Sequence, residues 1–167
     1  MQVQATRKVS RPQSKGFSLI ELVIVVVIIG IIGAIAVPRM SRGAKGASDS
    51  AVTANLTVLR NALDLYATEH GGSYPTFANM PDALTGYTDA QGNTSTTKDT
   101  THIYGPYIRA IPKLPVGANK GLATFTNTAP GATAQPAGWY YNDSTGEVKA
   151  NCADSETDEA GVKYNAY

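Results

Sequence analysis

Glu21 is the one charged residue in an otherwise apolar run, Phe17 to Val37, that reads FSLIELVIVVVIIGIIGAIAV. A carboxylate costs roughly 2.5–3.5 kcal/mol at the centre of a membrane span and somewhat less near an end. Two arrangements meet that cost. Glu21 lies at the interface and snorkels or protonates, or it takes a cationic partner. No Lys or Arg lies within the run to supply one. A free α-amino group on Phe17 would supply it, provided the chain is cut between Gly16 and Phe17. Other chemistry-bearing residues are few: His70 and His102 are the only histidines and Cys152 the only cysteine. That excludes an internal disulfide and any Cys-cluster zinc or iron–sulfur site. His102 has no evident partner in its threonine-rich segment, and Cys152 has no histidine nearby in sequence. Asp154, Glu156 and Asp158 alternate like the opening of a calcium loop, but without the glycine and distal glutamate that complete one. They read as a solvated acidic tail, and no metal, cofactor or catalytic activity is expected.

The apolar run has 21 residues, about 31 Å of helix, enough to cross a hydrocarbon core. It is too long for a cleaved secretory signal, and it continues directly into Pro38-Arg39-Met40 rather than into a small-x-small site, so it should remain as an anchor. Arg7, Lys8, Arg11 and Lys15 precede it and Arg39, Arg42 and Lys45 follow, a bias toward a cytoplasmic N-terminus. The chain has 167 residues, with 14 Lys+Arg against 13 Asp+Glu. Without the four leader cations, ten basic residues face thirteen acidic ones, a net charge of −3. Charged residues make up 16% of the chain, where an ordinary soluble domain has about 25%. This balance excludes a strongly basic nucleic-acid binder and an acidic disordered chain. Gly30, Gly33 and Pro38 weaken the helix, by about 1 kcal/mol for each glycine and about 3 for the proline. A kink at Pro38 is expected, and the stretch from Gly30 to Pro38 is weak enough to unwind.

Beyond a small-residue hinge, Ser41 to Gly46, helical periodicity resumes. Val52, Leu56, Leu59, Leu63 and Tyr66 form one apolar stripe, while Val58, Ala62 and Leu65 are expected to face neighbouring subunits. His70-Gly71-Gly72 supplies the stop. The expectation is one helix from Phe17 to about His70, then a short turn at Pro81–Leu84 and a loop over Thr85–Thr101. Strands follow over Gly121–Thr126, Gly138–Asn142 and Glu147–Asn151, with Asp143-Ser144-Thr145-Gly146 turning between the last two. Trp139, Tyr140 and Tyr141 read as core residues rather than a stacking platform. The fold class is therefore α+β, a long N-terminal helix, transmembrane in its first half, packed on a small antiparallel β-sheet. Its segments are a leader (1–16), a transmembrane helix (17–38), its amphipathic continuation (39–72) and a globular head (73–167).

Lys15-Gly16-Phe17-Ser18-Leu19-Ile20-Glu21-Leu22 resembles the processing signal of type IV pilins and of the pseudopilins of type II secretion. The resemblance extends over the basic leader and the apolar run to Pro38. It implies that a membrane-embedded prepilin peptidase cuts after Gly16, where no side chain obstructs it, and methylates the new Phe17 amine. It also implies that Glu21 pairs with the N-terminus of a neighbouring subunit during assembly. Gly105-Pro106-Tyr107-Ile108, Ile111-Pro112-Lys113, Gly138-Trp139-Tyr140-Tyr141-Asn142 and Thr145-Gly146-Glu147-Val148 are similar to the head of the major pseudopilin. The calcium loop usual in that head is replaced here by a shorter stretch. The implied function is a structural subunit of a type II secretion pseudopilus; the alternative is a type IV pilin for adhesion, twitching or DNA uptake. Implied partners are copies of the chain, minor pseudopilins, the peptidase and an inner-membrane platform with a cytoplasmic ATPase. The implied placement is single-pass in a bacterial inner membrane, with the head periplasmic.

Overall fold

The computed structural model describes residues 16–167. The chain divides into two units, one ending at Ser41 and the other spanning Arg42–Tyr167. Helix α1, Leu19–Glu69, contributes to both. In the first unit the span Leu19–Ala36 is wholly unburied and is long and apolar enough to cross a membrane.

In the second unit the helix becomes one-sided. Val52, Leu56, Leu59, Leu63 and Tyr66 are all buried, as their spacing requires. Ala62 is buried with them, contrary to the outward position expected for it, whereas Val58 and Leu65 are 46% and 50% exposed. Ala62 lies three residues after Leu59 and four before Tyr66, which puts it on the core face. The helix ends as its glycines dictate. Gly71 adopts a left-handed φ of 65°, and the Gly72 amide donates to the Ala67 carbonyl at 2.7 Å, the long bond of a Schellman cap.

Helix α2, Met80–Thr85, sets Met80, Ala83 and Leu84 into the core. The threonine-rich stretch expected as plain loop carries a hairpin, β1 (Tyr87–Thr88) against β2 (Thr94–Ser95). Asp89 organises its tip, accepting from the amides of Gln91 and Asn93 and from Asn93 Nδ2 at 2.7–2.9 Å. The Asn93 side chain, ahead of the two amides, holds this carboxyl below its usual range. His70 ties the hairpin to the helix end: it stacks on Tyr66 with ring centres 3.8 Å apart, and its Nε2 lies 2.9 Å from the Asp89 carbonyl.

Strands β3 (Phe125–Thr126), β4 (Trp139–Asn142) and β5 (Glu147–Ala150) form the main sheet. β4 and β5 pair antiparallel around the anticipated turn, Asn142 opposite Glu147. β3 lies parallel to β4, so the sheet is mixed; segment 127–138 gives the dozen or so residues a parallel crossover needs. Gly138 is required where β4 begins, because a Cβ there would collide with the Leu122 carbonyl. Trp139, Tyr140 and Tyr141 are all buried. Trp139 Nε1 donates to the Pro112 carbonyl and the Tyr141 hydroxyl to that of Pro75, both at 2.7 Å.

Polar contacts fasten this core to α1 along its length. The Tyr164 hydroxyl donates to Asp49 at 2.5 Å, Asn55 to the Lys113 carbonyl, Arg60 to that of Val148, and the Tyr107 hydroxyl to Glu69 at 2.6 Å. Replacing Leu59 by Ala should cost about 2–5 kcal/mol, whereas Leu65→Ala should stay within about 0.5 kcal/mol. Urea unfolding of the detergent-solubilised protein, followed by tryptophan fluorescence, separates the two.

Burial pushes the hydroxyls of Tyr107, Tyr141 and Tyr164 above their ordinary value of 10.0. A proton held more tightly in the folded chain stabilises it fully below the unfolded pKa and progressively less as pH rises beyond it. The urea midpoint should therefore fall as pH climbs past 10. A midpoint that stays constant through that range would contradict the buried-tyrosine arrangement.

Candidate functional site

Gly16 and Phe17 lie in non-helical chain ahead of α1, and both are exposed, Phe17 at 84%. Ser18 is the N-cap: its carbonyl accepts the first helical bond, from the Leu22 amide at 3.2 Å. Glu21 follows in the first turn. Its carboxylate turns back to accept the Ser18 amide at 2.9 Å, which is half of a capping box. The reading of Glu21 as a charge awaiting a cation overlooked this bond; the signal for it was Ser18-Leu19-Ile20-Glu21, a Ser-x-x-Glu at the start of an apolar run. The scissile candidate Gly16–Phe17 thus stands two residues clear of the helix.

Gly30 and Gly33 lie within α1, and a Cβ on either would meet open space. No contact among the described residues demands glycine at these positions. The α1 helix extends unbroken past Pro38. The leader cations Arg7, Lys8, Arg11 and Lys15 lie outside the described residues.

Elsewhere several titratable side chains are engaged within the fold. His102, for which the sequence offered no partner, pairs with Asp99, Nδ1 to Oδ2 at 2.9 Å. Asp99 also accepts the amides of His102 and Thr101, and these bonds hold its carboxyl far below the usual range. The acidic residues near the C-terminus are folded in rather than simply solvated. Asp154 pairs with Asn165 and Lys163; Glu156 accepts the Ala118 and Ala153 amides; Asp158 accepts the Val162 amide and the Tyr167 hydroxyl. The three carboxylates therefore serve three different sets of protein donors. No grouping of three His, Cys, Asp or Glu side chains able to hold a metal occurs among the described residues. Cys152 is fully buried, and burial, reinforced by Glu156, pushes its thiol up to about 12.

Residues 11–37 match the family model described as the prokaryotic N-terminal methylation motif. No curated protein and no solved structure matches the chain significantly. The matched segment takes in Gly16, Phe17, Glu21, Gly30 and Gly33 and stops one residue short of Pro38. The chain thus carries a prepilin-type signal of the type IV pilin-like class, and the signal runs directly into a helix able to anchor it in a membrane by a single pass.

Because a thiolate is the reactive form and Cys152 is both buried and hard to ionise, iodoacetamide at neutral pH should leave it unmodified in the native protein. It should alkylate Cys152 once urea unfolds the chain. Intact mass reads both outcomes, and ready modification of the native protein would contradict the burial.

Proposed function

We propose that the chain is the structural subunit of a type II secretion pseudopilus, made as a precursor, cut after Gly16 and methylated on Phe17. The observation that carries this reading is the motif match over residues 11–37 joined to an apolar stretch, Leu19–Ala36, of which no residue is buried among the described residues. A long apolar surface left uncovered in one subunit needs lipid or other copies around it. Before cleavage lipid supplies that environment; after cleavage neighbouring helices do.

The mechanism is mechanical. Cutting ahead of the apolar run, rather than behind it, removes the four leader cations and keeps the anchor. Methylation preserves the positive charge of the Phe17 amine, so it still pairs with a carboxylate. Glu21 of an adjoining copy is that carboxylate. A charge pair in a poorly solvated filament core sets register more than it adds net stability, and an unpaired member of it is costly. Gly30, Gly33 and Pro38 give the same helix a weak stretch, with a kink at the proline, where it adjusts as copies pack. The head, facing the periplasm, covers the filament surface. The driving energy comes from a separate cytoplasmic ATPase acting through the inner-membrane platform. The likeness of the head segments to the major pseudopilin favours the pseudopilus over a type IV pilus.

The intact mass of protein purified from its host's membranes tests the processing. The expected species begins at Phe17 and carries one methyl group. Glu21→Ala should be cut at the same bond and fail to enter filaments. A chain still beginning at Met1, or one cut after Val37, would overturn the reading. Deleting the gene should abolish protein export; normal export with loss of surface filaments would instead assign the subunit to a type IV pilus.

A further inference from the structure

We propose that Glu21 is already partnered before any neighbour arrives: the Ser18 amide holds its carboxylate, and Ser18 is the positioning residue for the assembly charge. The geometry comes from one turn of chain. Ser18 stands at the N-cap, with its carbonyl engaged by the Leu22 amide. The first amides of a helix have no partner within it. Glu21, three residues on, brings an oxygen to 2.9 Å from that amide. One bond thereby answers two needs, an unsatisfied donor and an unsatisfied carboxylate.

The surroundings make the bond consequential. Glu21 is the only ionisable side chain between Phe17 and Val37, and its neighbours Ile20 and Leu22 are about 60% exposed. In the uncut precursor Phe17 has no free amine, and among the described residues the Ser18 amide is the donor that Glu21 engages. A carboxylate held this way lies at a defined place on the helix surface rather than sampling many rotamers. It is presented at the first turn, beside the residue that becomes the N-terminus. Assembly, on the reading proposed above, then exchanges one partner of Glu21 for another instead of capturing a free charge.

The test uses the full-length precursor, isotopically labelled, in detergent micelles, with amide exchange followed at Ser18. Glutamine keeps an acceptor oxygen at the same reach, so Glu21→Gln should leave Ser18 exchange within about twofold of wild type. Glu21→Ala removes the acceptor and should speed it roughly fivefold, the size of an ordinary capping bond. Amides at Ile31 and Ile35, deep in the helix, should exchange alike in all three proteins, which shows that the helix is intact. Equal Ser18 exchange in wild type and Glu21→Ala would overturn the proposal, as would Glu21→Gln exchanging as fast as Glu21→Ala. None of these measurements needs cleavage. Failure to cut after Gly16 would sink the proposed function and leave the capping bond standing, while loss of the bond would leave processing untouched.

Discussion

A single helix, α1, has to satisfy two solvents, and the rest of the structure follows from that constraint. Over Leu19–Ala36 it is apolar all round save for Glu21, and no residue of it is buried among the described residues. From Val52 to Tyr66 it is apolar along one stripe, and the head covers that stripe. A helix apolar all round needs an apolar medium, whereas a striped one needs only a single packed layer. The division of the chain between Ser41 and Arg42 falls where the first pattern gives way to the second.

The head meets its share of the constraint with a core built around the stripe and a few directed polar bonds at its edges. Leu56, Leu59 and Leu63 pack in one cluster with Met80, Leu84, Leu114, Trp139 and Tyr141. Around this cluster, tyrosine hydroxyls reach carboxylates of the helix, Tyr164 to Asp49 and Tyr107 to Glu69. Hydrogen bonds to charged acceptors contribute more than neutral ones, about 1.5–3 kcal/mol each. A chain with few charges has used several of them to fix its own tertiary structure. The same holds at the C-terminus, where Asp154, Glu156 and Asp158 bind backbone amides and side chains of adjacent loops.

His70 is stacked on Tyr66, His102 is paired with Asp99, and Cys152 is buried with a raised pKa. At the N-terminal end of the described chain, a non-helical, exposed Gly16–Phe17 precedes a capped helix. That segment suits a chain that is a substrate of a processing enzyme and then a part of an assembly.

Much of this was legible in the residues. The α+β class, the extent of α1, its core stripe and the β4–β5 hairpin all follow from periodicity and turn chemistry, because each is set by neighbours a few positions apart. The prepilin-type signal is likewise contiguous, and so was readable at residue level. The hairpin at Tyr87–Ser95 was not, since two-residue strands leave no period to detect and its stability comes from Asp89 and His70. Neither was the parallel pairing of Phe125–Thr126 with Trp139–Tyr140, which depends on how segment 127–138 returns across the sheet. The inward turn of Ala62 was misjudged because alanine carries too little apolar signal to mark a face. Local spacing thus determined the helix, its signal and its stripe. Only the tertiary structure decided that Tyr107 meets Glu69, Tyr164 meets Asp49 and Glu156 holds the Ala118 amide, because those partners lie 38 to 115 residues apart in the chain.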